Sequence, residues 1–261
     1  LIDAIYVQER TETTDADCEA AKAAWDALTD EQKGWIEEAW KQGTSENGFV
    51  GNYLSYEGQK TFDLYNCCLS SLFLSYSNQV FSPFEMLDYF YGKQEENGAI
   101  RSNYSVETGK PVTTRENPEA VTLPLFAYVE FVFYHKIGNK KRLKEVVPFI
   151  EKYFDWLKEK YLKENGLFAV PLSACRTGNI PREKTVYAVD FNSLVAVNAL
   201  YLSFIGDVLN DKELSFRYKR MYFSLKTRIN DLMWDPETKF YYDLDKDQNR
   251  IPLKMICAYW A

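Results

Sequence analysis

Between Pro171 and Asn192 the chain gathers Cys175, Arg176, Asn179, Arg182, Glu183, Asp190 and Asn192 in one connection between two apolar segments. Arg and Asn present several N–H donors in fixed directions, which is the equipment a hydroxyl-rich ligand needs. Arg176, Asn179 and Arg182 are therefore candidate ligand contacts. A purely structural reading makes the same stretch a solvated loop whose Asp190 caps the following helix. The residues alone leave both readings open.

Other constellations are poorer. Asp243-Leu244-Asp245-Lys246-Asp247-Gln248-Asn249 alternates oxygen ligands as a calcium loop does. It has Gln248 where that loop needs Gly and Lys254 where it needs Glu, so an acidic hairpin tip is expected. The single His135 lies between Tyr134 and Lys136 on an apolar helix. One His builds neither a metal site nor a nucleophile–base pair, so no metal and no cofactor are expected. Cys67-Cys68 opens an apolar helix and reads as packing. The five Cys show no CxxC spacing and no disulfide framework, which favours a reducing, cytoplasmic compartment.

The composition narrows the partners. Net charge is −7, and the only basic run, Lys140 to Lys144, opens a helix, so nucleic acid is not an expected partner. No uninterrupted apolar run approaches the roughly 20 residues that cross a bilayer, so no membrane is expected either. Aromatic residues make up 16% of the chain, enough to supply both a core and stacking surfaces for an amphipathic ligand.

The elements that would position these residues read as helices. Thr29-Asp30-Glu31-Gln32 is a capping box for a helix over 29–41. Further helices are predicted over 65–76, 82–93 with Pro83 in its first turn, 122–137, 139–162, 190–210 and 211–233. In 139–162 the residues Leu143, Val146, Val147, Ile150, Phe154, Leu157 and Tyr161 recur at helical spacing, with Pro148 expected to kink or divide it. Eight or nine helices and no convincing sheet are expected. Glu46-Asn47-Gly48-Phe49, Glu96-Asn97-Gly98-Ala99 and Glu164-Asn165-Gly166-Leu167 repeat one helix-stop signature. Trp234 to Asp243 forms a fourth junction with a short hairpin. An all-α toroid of helical hairpins follows, with function on the loops at its mouth. Leu253 to Ala261 reads as an opening helix turn, so the unit is expected to continue.

In this order the motifs resemble the trehalase, processing-glucosidase and mannosylglycerate-hydrolase group of six-hairpin glycoside hydrolases (family 63-like). Tyr65-Asn66-Cys67 stands at the group's Trp-Asp-Ser/Thr entrance, and Gln94 to Ile100 matches its Gln-rich stretch. Leu123-Pro124-Leu125 stands at its Gln-Pro-Pro helix start, and Gly138-Asn139 at its Gly-Asn turn. Cys175 to Arg182 matches the Ser-Gly-x-Asp-x-Ser-Pro-Arg loop, Asp190-Phe191-Asn192 the Asp-Leu-Asn, and Trp234 to Asp243 the Trp…Phe-Tyr-x-Asp hairpin.

The resemblance implies an (α/α)6 barrel, incomplete at its C-terminus. Residues 1–45 would be a helical lead-in and 46–261 the first four to five hairpins. It implies an inverting O-glycosidase acting on a small glucosyl- or mannosyl-containing glycoside or oligosaccharide. The group's acid Asp position is Gly178 here, and Pro171 to Arg182 contains no Asp or Glu. Glu183 and Asp190 are the candidate replacement acids. Tyr65, Asn66, Arg115, Arg176, Asn179 and Arg182 are the candidate sugar contacts. The alternatives are a relative that binds sugar without cleaving it, and a helical-hairpin interaction scaffold.

Overall fold

The computed structural model describes residues 12–42, 52–54, 59–77, 82–175 and 181–261. Two helices lead in, α1 (Thr14–Asp26) and α2 (Asp30–Ala39), followed by a ribbon of β1 (Trp40–Gln42) and β2 (Asn52–Leu54). The capping box at the start of α2 forms as expected. The Thr29 amide donates to Gln32 Oε1 (2.9 Å) and the Gln32 amide to Thr29 Oγ1 (3.1 Å).

Three helical hairpins then follow among the described residues. They are α3 (Leu64–Leu74) with α4 (Phe84–Gly92), α5 (Phe126–Ile137) with α6 (Lys140–Tyr161), and α7 (Val189–Leu209) with α8 (Lys212–Met233). Composition sorts them into two layers. α3, α5 and α7 are apolar almost all round and pack on one another in sequence, α7 also touching a 3-10 turn at Ile256–Trp260. α6 and α8 carry one apolar stripe each and stand outside. All seven stripe residues of α6 are buried. In α8 Leu214, Tyr218, Leu225 and Ile229 are buried, while Met221 is half-buried.

The connectors explain the tight hairpins. Gly138 (φ 75°) ends α5 and Asn139 caps α6 through the Arg142 amide; Asn210 (φ 60°) ends α7 and Asp211 caps α8 through the Leu214 amide. Two boundaries differ from expectation. α5 begins at Phe126, not 122, because Pro124 keeps the residue before it out of the helical region and Val121 to Leu125 is not helical. Pro148 sits inside an undivided α6, where the rest of the apolar stripe holds the helix together. A buried ion pair joins α5 to α6, Arg142 donating to both oxygens of Glu130 (2.7 and 2.8 Å), and the same guanidinium reaches the exposed Asp88 of α4 (2.9 Å). α7 is long and apolar enough to cross a membrane by length and composition, yet it is the core helix here, packed by α5, α6 and α8.

Alternating hairpins make α3, α5 and α7 run the same way, so the segments leading into them gather at one end. Small ribbons and turns build that end. β3 (Thr61–Asp63) pairs with β4 (Asn103–Ser105), and β5 (Trp234–Asp235) with β6 (Phe240–Tyr241), the hairpin expected from its turn chemistry. The other ribbons were missed because strands of two or three residues show no alternation. The repeated signature forms the same turn twice. Asn97 Oδ1 accepts from the Ala99 amide (2.9 Å) and Asn165 Oδ1 from the Leu167 amide (3.0 Å), with Gly98 and Gly166 at φ 97° and 83°. These turns stand beyond the helix ends instead of capping them. The copy at 46–49 lies outside the described residues.

Candidate functional site

The segment entering α7 is built around Arg182. Its Nε donates to Asp243 Oδ2 (2.8 Å), and its Nη2 to Asp243 Oδ1 (3.2 Å) and Asp190 Oδ1 (2.9 Å). Nη1 donates to Asp190 Oδ2 (3.1 Å), so the guanidinium forks onto two carboxylates at once. All three side chains are buried, Arg182 at 4% exposure. The two carboxylates hold the guanidinium pKa above its ordinary value despite burial, which by itself lowers it. The second negative charge is met by the start of α7. Asp243 Oδ1 accepts from the Val189 amide (2.9 Å), Oδ2 from the Thr185 hydroxyl (2.9 Å), and Asp190 Oδ1 from the Phe191 amide (3.0 Å). Amides at a helix N-terminus favour anions.

Asn192 fixes the other side of the same connection. Its Oδ1 accepts from the Phe168 amide (2.7 Å) and its Nδ2 donates to the Phe168 carbonyl (3.0 Å). Asp190 also meets the buried Cys175 thiol, whose pKa rises through burial first and the nearby Asp190 charge second. Two residues of the first turn of α7, Asn192 and Asp190, thus pin the connection at Phe168 and at Arg182.

Two sequence candidates therefore have a different place from the one expected. Arg182 turns Nε, Nη1 and Nη2 to Asp190 and Asp243 below the surface. Asp190 is neither the helix cap nor an open acid: Ala188 is the N-cap residue, and both Asp190 oxygens are held by Arg182. Glu183, next to Arg182, is exposed. Asn66 is exposed and Tyr65 half-buried in the first turn of α3, which Asp63 caps through the Asn66 amide (2.8 Å). A recess of about 440 Å³ opens beside them, lined in part by Gln59, Asp63, Asn66 and Ser70. Arg115 is exposed in the segment before α5. Arg176 and Asn179, with Gly178, lie outside the described residues.

Other readings settle on geometry. Asp243 points inward to Arg182, and Asp245 Oδ1 accepts from the Asp247 and Asn249 amides (2.9 Å each) at the tip of this turn. His135 is exposed and packs against Phe131. Cys67 and Cys68 are buried, with pKa values raised chiefly by burial. The sequence reading missed Asp243 as the partner of Arg182. It also missed Asn198, which crosses from α7 to accept from the Ala127 and Tyr128 amides at the start of α5 (3.0 and 3.3 Å). The only available signal for Asp243 was its place at the end of the Trp234-to-Asp243 motif.

Comparison with known proteins gives the family context. Residues 173–260 match the trehalase family model. An uncharacterized protein of Borreliella burgdorferi is 44% identical over 209 residues, which make up 80% of this chain and 44% of that protein. The chain thus spans less than half of the length of this relative. Among solved structures, a GH63 mannosylglycerate hydrolase from Thermus thermophilus in complex with glucose superimposes with a TM-score of 0.61. It is 16% identical, over 78% of this chain and 65% of that one. A GH78 family rhamnosidase of Bacillus sp. GL1 superimposes with a TM-score of 0.56 and 15% identity, over 77% of this chain and 20% of that one. Likeness at such identity shows a shared fold: part of an (α/α)6 toroid.

Proposed function

Taking as premise that residues 173–260 carry a trehalase-family domain within a six-hairpin glycosidase fold, we propose that this protein binds a small glucosyl- or mannosyl-containing glycoside and hydrolyses its O-glycosidic bond. The observation that supports this best is the double carboxylate fork on Arg182, which fixes the exit of the polar loop where α7 begins. A solvated connector needs no such anchor; a loop that must hold donors in register against a ligand does. No cofactor enters this reading.

In it Asp190, Asp243 and Arg182 hold the loop. Glu183, exposed beside that anchor, is the proposed general acid, and Tyr65, Asn66, Arg115, Arg176 and Asn179 are the proposed sugar contacts. Inversion would require a second carboxylate about 6.5–9.5 Å from the acid to activate water. The cytoplasm is the proposed compartment, on the ground that four of the five free thiols are buried. Binding without cleavage is the second reading, favoured by Gly178 at the group's acid position.

The test is hydrolysis of aryl and natural α-glucosides and α-mannosides by the full-length protein, with Glu183→Gln in parallel. Turnover that falls by about 10²–10⁴ in the variant, with stability unchanged, supports Glu183 as the acid. Sugars that raise the Tm without turnover favour the binding reading, and neither effect returns the molecule to a scaffold role.

A further inference from the structure

α8 presents an outer face that is left uncovered among the described residues. Leu214, Tyr218, Leu225 and Ile229 face inward and are buried. Arg217 turns toward α6, where it pairs with Glu151 (2.9 Å), and Tyr222, Lys226 and Asn230 line the flank beside Trp260. The remaining face points away from the ring and carries Phe216, Lys219, Arg220, Phe223 and Thr227. Phe216 is 70% and Phe223 52% exposed, at the edges of a shallow recess of about 610 Å³. Lys219, Arg220 and Arg228 have no acidic partner among the described residues. The helix holds six Lys and Arg against Glu213 and Asp231, in a chain of net charge −7. Exposed rings among unpaired cations mark a docking face for an acidic, partly apolar partner.

α1 has the complementary character, with Asp15, Asp17, Glu19 and Asp26 against Lys22. None of its residues is buried. Its exposed side carries Glu19, Lys22, Trp25 and Asp26, Lys22 pairing with Asp26 along the helix (2.7 Å), and Glu12 stands two turns before Glu19. At 1.5 Å per residue its 13 residues span about 20 Å, and the α8 stripe from Phe216 to Thr227 about 17 Å. Trp25 would stack among the Phe rings and cations, where an indole is a favoured partner for Arg.

We propose that the α8 outer face is a self-association surface, occupied by α1 of a second copy of this chain. A two-fold pair would make the α1–α8 contact twice. The contact is charge-assisted and therefore weakens with salt.

Sedimentation of the full-length protein tests this, with circular dichroism as the check on folding. A dimer is expected that dissociates in Lys219→Glu/Arg220→Glu and also in Glu12→Lys/Glu19→Lys, and that re-forms when the two charge reversals are combined. A monomeric wild type at about 100 µM would overturn the proposal, as would a dimer that either reversal leaves intact. So would dissociation by the α8 reversal that the α1 reversal fails to rescue.

Discussion

Arg182 and Asp243 stand 61 positions apart in the chain and meet with Nε 2.8 Å from Oδ2, both side chains below the surface. Asp243 thereby joins the hairpin after α8 to the loop before α7, and caps α7 through the Val189 amide. Removing the cation leaves Asp190 and Asp243 buried without it. Arg182→Ala is expected to cost about 3–5 kcal/mol, the scale for breaking a buried ion pair from one side. Asp243→Ala should cost a similar amount, because it strands Thr185 and the α7 amide as well. The double variant Arg182→Met/Asp243→Leu should lose less than the sum, by more than about 1 kcal/mol. Chemical denaturation of the four proteins measures the cycle. Additive losses would mean that the two residues act separately.

Gly98 and Gly166 occupy the same position in two copies of one turn, and their surroundings differ. A Cβ on Gly98 would sit 2.3 Å from the Lys152 carbonyl oxygen, which is backbone of α6 and cannot yield. On Gly166 it would meet the Arg228 side chain at 3.1 Å, which can move. Both residues have positive φ, so Ala at either carries the left-handed penalty of about 1–2 kcal/mol. Gly98→Ala is expected to lose at least about 2 kcal/mol more than Gly166→Ala, on the scale of overpacking a fixed contact. Equal losses in thermal unfolding would place the whole cost in the turn.

The same two turns show what the sequence could and could not tell. Their Asn-Gly pairs marked the end of each outer helix within a few residues, because left-handed backbone and Asn side-chain acceptance are local properties. The α6 stripe was readable for the same reason, since a 3.6-residue period is written along one segment. Asp243 carried no local mark of its role, as its partners lie 54 to 61 residues earlier. Arg182 and Asp190 stood out by residue type, but their burial against each other is a tertiary fact. A carboxylate that accepts from a guanidinium and one that faces a cleft look alike in sequence. The ribbon β3–β4 was too short for any periodic signal, whereas β5–β6 was readable from its turn chemistry.

Two buried tyrosines set an alkaline limit. Burial pushes the hydroxyls of Tyr104 and Tyr161 up to about 12, the nearby Glu119 adding to the effect at Tyr161. In the unfolded chain both titrate near 10. The folded state therefore holds their protons more tightly. Their contribution is complete below pH 10, shrinks as the unfolded state ionises, and is gone above pH 12. Stability is expected to fall across that window, and Tyr161→Phe should flatten part of the fall while leaving pH 7–9 unaffected by titration. Urea midpoints from pH 8 to 12 measure it. A parallel fall in wild type and variant would exclude Tyr161 as a contributor.

Asn198 is the cross-helix cap of α5, and its amide is fully used. Oδ1 accepts from the Ala127 and Tyr128 amides (3.0 and 3.3 Å), while Nδ2 donates to the Pro124 and Leu194 carbonyls. Pro124 and Leu125 supply no side-chain cap, so the buried start of α5 depends on this neighbour. Asn198→Ala takes this partner from the Ala127 and Tyr128 amides and is expected to cost about 2–4 kcal/mol, on the scale of one to three kcal/mol for each buried unsatisfied polar group. Asn198→Asp separates the two halves of the role. It keeps the acceptor for both amides and loses the donor to two carbonyls, while adding a buried negative charge at a helix N-terminus. The Asp variant should therefore regain stability relative to Ala as the pH rises through its carboxyl titration only if acceptance outweighs the lost donation. Hydrogen exchange at Ala127 and Tyr128 distinguishes the cases. Protection retained in Asp and lost in Ala confirms the cap, and protection retained in both would show that α5 starts without help from α7.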